Sequence, residues 1–175
     1  MILYFVDCET TGLSPQKNTI IEFCGIKHEN RREVARLYMK IAPTDDDLSK
    51  ASSQAMAVNG YTSEKWHDAV QPKEAAQRMA RFLYGTSETA LVAHNVKFDA
   101  SFIRHFLKRY GVDQNLPYRT IDTVSLAFIH LKPRGCNSMK LDNIRRFLGW
   151  SLENNHTATK DAEDCVRLFD LLIPV

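Results

Sequence analysis

Ile2 to Val6 is an unbroken apolar run that stops at Asp7, the pattern of a buried strand over residues 2–7. Residues 19–27 and 33–41 predict two further strands, joined as a hairpin that closes near His28–Arg31. In the second of these, Ala35, Leu37, Met39 and Ile41 alternate with Arg36, Tyr38 and Lys40, the period of a half-buried strand. After Pro43 the spacing turns helical. Ser52 or Ser53 caps a short helix that ends at Asn59-Gly60, and Pro72 opens another with Ala75, Ala76, Met79, Phe82 and Leu83 on one face. Leu91–Ala93 is a short strand. An amphipathic helix over 99–110 follows, with Phe102, Ile103, Phe106, Leu107 and Tyr110 aligned and Gly111 as its stop. A strand at Arg119–Asp122 leads into a helix over 123–131. Ser138 caps a helix running to Gly149, and the last helix covers 158–172. Strands first, then helices alternating with strands, predict one α/β domain over 1–175 with a mixed central sheet.

Composition narrows the classes without choosing among them. Hydrophobic residues make up 44% of the 175, and no apolar stretch approaches the roughly 20 residues of a membrane helix. The N-terminus lacks the basic segment of a signal peptide and reaches acids at Asp7 and Glu9, so it reads as a strand. Cys8, Cys24, Cys136 and Cys165 are far apart, which argues against zinc and for buried, reduced thiols in a cytoplasmic protein. The net charge is only +2, but Lys132, Arg134, Lys140, Arg145 and Arg146 oppose the single acid Asp142, and Arg104, Lys108 and Arg109 form a second group. These predict either a solvated surface or a phosphate-tracking groove.

The chemistry lies in the acids. Asp7 and Glu9, two apart on a strand, project to one side, and Cys8 points to the other. Thr10-Thr11-Gly12 makes a turn after them. Asp99 falls near the middle of the apolar face of its helix, where a carboxylate needs a partner such as a metal. In the last helix, Ala158, Ala162, Cys165, Val166 and Phe169 define the buried arc. Asp161 lies at its edge, about 70° from the centre, whereas Glu163 and Asp164 lie about 130° away and are expected to face solvent. His156 stands in the loop ahead of that helix. Asp122 ends a strand and reads as a supporting or structural acid, and Asp45-Asp46-Asp47 reads as a solvated turn. No phosphate-loop or serine-esterase motif is present.

Taken in order, D-x-E-T-T-G on the first strand, H-N-x-x-F-D before a helix, and a histidine five residues ahead of an aspartate resemble the DEDDh exonuclease superfamily, especially its polymerase-proofreading members. The resemblance covers nearly the whole chain. It implies a ribonuclease-H-like fold and a 3′→5′ exonuclease that uses two divalent ions, Mg²⁺ or Mn²⁺. Asp7, Glu9, Asp99 and Asp161 match the metal-binding acids and His156 the catalytic histidine. Leu13 and Phe98 match apolar positions that wedge against terminal bases, and Thr10 a position whose backbone meets the terminal nucleotide. His94 is expected to support its loop or touch substrate. Cys8 replaces the usual small residue and is expected to be harmless, since it faces away from the metals. The implied partner is the 3′ end of a single strand, and a DNA polymerase is a second one; no membrane is implied. DNA is favoured over RNA as substrate. All five site residues are present, which argues against a non-catalytic binding module. The chain ends just after the last helix, which predicts a free-standing enzyme or a catalytic domain by itself.

Overall fold

The computed structural model describes residues 1–113, 115–153 and 156–173. Five strands form one sheet: β1 (Ile2–Thr10), β2 (Ile20–Glu29), β3 (Arg32–Lys40), β4 (Thr89–Ala93) and β5 (Arg119–Asp122), in the order β3-β2-β1-β4-β5. β1 pairs antiparallel with β2 and parallel with β4; β2–β3 is antiparallel and β4–β5 parallel, so the sheet is mixed. The hairpin turn is two residues, Asn30 and Arg31, both with positive φ (49° and 63°), a conformation whose twist matches the strands it joins. β3 is less buried than its alternation predicts. Leu37 is partly covered and Met39 buried, but Ala35 is exposed, because β3 is the sheet's outer edge.

Seven α-helices are described: α1 (Asp45–Ser49), α2 (Ser53–Asn59), α3 (Pro72–Phe82), α4 (Val96–Arg109), α5 (Thr123–Leu131), α6 (Leu141–Leu148) and α7 (Ala158–Leu172). Asp45-Asp46-Asp47 is not a solvated turn. It opens α1, where Thr44 and Asp47 make a reciprocal capping box, and Asp47 is buried against Arg109 at 2.9 Å. α6 begins later than expected, at Leu141. Ser138 does not cap it but receives hydrogen bonds from the Lys140 amide and the Asn143 side chain. α4 begins three residues earlier than the spacing predicts, with Asn95 at its N-cap in the left-handed region.

The alternation of β1 divides the core. Tyr4, Val6 and Cys8 pack with α3 and α4 through Ala76, Met79, Phe102 and Ile103. Leu3 and Phe5 pack on the other face against Ala158, Ala162, Cys165 and Phe169 of α7. A third group, including Leu131, Ile144 and Leu168, joins α5 and α6 to the far flank of α7. α7 is therefore covered on two sides, and its buried arc is wider than a single apolar stripe. No described helix is long and apolar enough to cross a membrane. All four cysteines are free and buried.

Candidate active site

The acids meet at the C-terminal end of β1, between α4 and α7. Asp7 and Glu9 lie on the face that α7 covers. Asp7, Glu9 and Asp161 each offer a carboxylate oxygen, and these three oxygens lie within 4.8 Å of one another. Asp99 comes from the opposite face. It is 3% exposed and accepts the Cys8 amide through Oδ1 at 3.0 Å. Because α4 starts at Val96, Asp99 sits one turn inside the helix and is not its cap.

Burying these charges together is unfavourable, and the proton affinities register it. Burial and the neighbouring Asp99, Asp161 and Glu9 push Asp7 well above the usual carboxylate range. Burial and the charge of Asp161 push Glu9 up to about 8. Burial raises Asp99 to about 8 against the opposing pull of the amides it accepts from. A site of hard oxygen donors that resist ionisation together has the chemistry of a divalent-cation site, since a cation removes the repulsion that burial amplifies. The residues present thus fit such an ion.

Cys8 is not remote from this chemistry. Its side chain points away from Asp7 and Glu9, but toward Asp99. The thiol bonds to that carboxylate, and its proton affinity is raised well above normal by burial and by Asp99. A strand's two faces are distinct along most of its length, but here acids flank both.

The turn after β1 is built for rigidity. Thr10 donates to the Gly12 carbonyl at 2.7 Å, the Thr11 hydroxyl accepts the Thr19 amide at 3.0 Å, and Asn59 donates to the Thr10 carbonyl at 3.1 Å. At Gly12 a β-carbon would sit 2.5 Å from Asn18 Oδ1, which itself accepts the Ser14 amide, so only glycine fits without displacing that contact. Leu13 follows this pinned turn and is 84% exposed. An apolar side chain held out by a rigid turn gains nothing for the fold. It faces Phe98 across a cleft of about 260 Å³ lined also by Glu9, Thr10, Gln54, Ala55 and Val58. Phe98 is half-buried and rests on Phe102, with ring centres 4.7 Å apart.

His156 has positive φ (60°) and a 41% exposed side chain. Its Nε2 lies 3.4 Å from Asp142 Oδ2, and it shares a cleft with Asp142, Lys140, Arg146 and Asp161. Residues 154 and 155, in the loop just ahead of this histidine, lie outside the described residues. His94 is occupied elsewhere: its Nε2 contacts the Met139 carbonyl at 2.7 Å, and its Nδ1 the Thr123 hydroxyl at 3.0 Å. It clasps three segments together, and burial lowers its proton affinity. Asp122 caps α5 by accepting the Val124 amide and also accepts the Asn95 amide at 3.0 Å, so it fixes the turn that leads into α4.

Two features escape sequence reasoning. Arg145 belongs to neither a solvated surface nor a phosphate groove. Its side chain is 0% exposed, and its three nitrogens bond Asp142, Asp161 and Asp164 at 2.8, 2.6 and 2.7 Å. Asp164 accordingly does not face solvent. It is 2% exposed and also pairs with Lys160, because α6 packs on the flank of α7 that a single-stripe count leaves open. Glu163 is exposed as expected and pairs with Arg36. The second feature is Glu22, a buried acid on β2 directly opposite Glu9. The Tyr38 hydroxyl and the Ala158 amide donate to it, which ties the start of α7 to the sheet. Its one sequence signal is a lone acid inside the apolar run of β2.

A family model described as Exonuclease (RNase_T) matches residues 4–169. The chain is 33% identical over 165 residues to the PolC-type DNA polymerase III of Thermotoga petrophila, covering 94% of this chain and 11% of that protein. It is 29% identical over 170 residues to the DNA polymerase III epsilon subunit of Treponema pallidum, covering 95% and 74%. The chain thus spans about a tenth of the PolC-type relatives. E. coli exonuclease I, solved with a dT13 oligonucleotide, superposes with a TM-score of 0.83 at 21% identity over 98% of this chain and 40% of that one, so the two share the ribonuclease-H-like fold. With the family match running from β1 into α7 and so across all the elements that carry the acids, the chain belongs to the exonuclease family of nuclease hydrolases.

Proposed function

We propose that the chain is a 3′→5′ exonuclease that hydrolyses the terminal phosphodiester of a DNA single strand or frayed end and releases nucleoside 5′-monophosphates. The observation that carries this is the convergence of Asp7, Glu9 and Asp161 within 4.8 Å, with Asp99 buried beside them. Asp7, Glu9, Asp99 and Asp161 are the residues to hold two divalent ions, Mg²⁺ or Mn²⁺. When bound, such ions supply charge neutralisation at the phosphate and a more acidic water. The chain's own residues do the rest. His156 accepts the proton of the attacking water. The water oxygen bonds to the terminal phosphorus, the bond to the 3′ oxygen of the penultimate nucleotide breaks, and that oxygen takes up a proton from solvent to become the new 3′ hydroxyl, while His156 returns its proton to solvent. Leu13 and Phe98 wedge the last bases apart, and the Thr10 backbone meets the terminal nucleotide. The cleft these three residues line beside Glu9 supports that assignment.

The names of the relatives support DNA as substrate and a polymerase as a partner of the longer proteins to which such domains belong. A 5′-labelled oligonucleotide tests the reading. Stepwise shortening with Mg²⁺ or Mn²⁺, abolished by EDTA, and faster on single-stranded DNA than on RNA of the same sequence, is the expected result. Internal cuts in a circular strand, or full activity in EDTA, would refute the reading. Preferential trimming of the RNA would move the substrate to RNA.

A further inference from the structure

Arg145 is a fully buried cation that touches three carboxylates, and each contact has a different neighbour. Nε bonds Asp164 on the outer flank of α7; Nη2 bonds Oδ1 of Asp161; Nη1 bonds Oδ1 of Asp142, whose Oδ2 lies 3.4 Å from His156. One planar guanidinium therefore reaches both an acid of the candidate metal site and, through one intervening carboxylate, the candidate base. The same residue also holds Trp150, because its carbonyl accepts the Trp150 amide at 2.8 Å, and the Trp150 ring stacks under Arg167 at 4.0 Å.

We propose that Arg145 is a positioning residue for the hydrolytic reaction: it holds Asp161 by one oxygen, leaving Oδ2 for a cation, and through Asp142 it orients the ring of His156. The proposal rests on the reading of the site given above. The physical reason is local. Asp161 stands among Asp7 and Glu9, and without a fixed cation behind it a carboxylate rotates away from like charges. A guanidinium has three nitrogens in one plane and so can hold three carboxylates at fixed angles, whereas an ammonium is a single point that cannot. Asp164 and Lys160 complete the arrangement. Asp164 anchors the guanidinium from the far side, and Lys160 pairs with its other oxygen at 2.9 Å. Neither needs to touch substrate.

The test uses the whole chain with Arg145→Lys, Asp142→Asn, and the double variant Arg145→Met/Asp164→Leu, which removes the buried cation together with its most buried anion. Three quantities are read: Mn²⁺ affinity by calorimetry without nucleic acid, kcat and KM on a DNA oligonucleotide, and melting temperature. For the double variant, Mn²⁺ affinity and kcat are each expected to fall about 10–100-fold, the usual loss when an outer partner of a metal ligand is removed. KM should stay within about twofold. Arg145→Lys should lie between wild type and the double variant. Asp142→Asn should lower kcat with Mn²⁺ affinity unchanged, which separates the His156 arm from the Asp161 arm. A folded double variant with wild-type Mn²⁺ affinity and kcat would overturn the proposal. If the double variant does not fold, wild-type affinity and kcat in Arg145→Lys would overturn it equally. A wild-type chain that binds Mn²⁺ but hydrolyses no oligonucleotide sinks the nuclease reading instead, and the Mn²⁺ affinities of the variants still judge Arg145.

Discussion

On the α4 side of β1, Asp99 pairs with no cation among the described residues. It is buried, takes the Cys8 amide and the Cys8 thiol, and is held near a proton affinity of 8. On the α7 side, Asp161 lies against a buried guanidinium that two further aspartates balance. Both acids approach the same strand end, yet one is stabilised by neutral donors and the other by an ion network. Burial raises the proton affinity of Asp99 against the pull of the donors it accepts from, whereas the contact that meets Asp161 is a charged one.

The largest expected effect comes from removing the acid between these sides. Asp7→Asn should lower turnover roughly 10³-fold or more, since charge stabilisation by metal is worth several kcal/mol. The same change should raise the melting temperature in cation-free buffer at pH 8, because it deletes a buried repulsion, and should do so less at pH 5. A melting temperature that drops at both pH values would show that Asp7 is structurally paired, contrary to its surroundings.

The pH dependence of the unmodified chain sharpens the same point. Glu9 and Asp99 are raised from 4.5 and 3.8 to about 8 in the folded state, so the native protein binds more protons than the unfolded chain between those limits. Stability must then fall as pH climbs from about 4 to about 8. Scanning calorimetry in EDTA should show that fall, and excess Mn²⁺ should flatten it.

His156→Ala is expected to cost on the order of 10²–10⁴-fold in kcat with Mn²⁺ binding retained. His94→Ala should instead lower stability, since it breaks contacts to both Thr123 and Met139. Parallel kinetics and thermal melts on the two variants would expose a misassigned base if these outcomes were exchanged.

Within α7, Asp164→Asn leaves Arg145 and Lys160 short of a buried anion and should destabilise by about 3 kcal/mol. Glu163→Gln, which loosens only an exposed pair with Arg36, should cost under about 1 kcal/mol. Denaturant titrations that rank the two equally would place Asp164 in solvent after all. The smallest effect is at Leu13→Ala. Losing a stacking contact worth roughly 1–3 kcal/mol should raise KM and leave the melting point unchanged, because the side chain packs on nothing that stabilises the fold.

Asp7, Glu9 and Asp99 were legible because their positions follow from local periodicity. A strand repeats every two residues and a helix every 3.6, so an acid at the wrong phase for solvent is visible in the string itself. Asp164 carried the same kind of signal and misled. Against a single apolar stripe its phase points to solvent, but α6 covers a second flank of the helix. Asp47 misled for a related reason: the triple acid reads as solvated until Arg109, far along the chain, is found against it. Periodicity reports which way a side chain leaves its own element, and nothing in it reports what a distant element brings to that side.

Short-range hydrophobic spacing and turn chemistry were enough to predict a mixed sheet, the order of its elements and an acid pair at a strand end. What each charge meets depends on packing between elements far apart in the chain. That packing turned Arg145 from one of several surface-like cations into the buried centre of three carboxylates, gave Cys8 to Asp99, and set Glu22 behind Glu9. A buried charge is tolerable only with its partners in place, and those partners come together only when the elements that carry them pack.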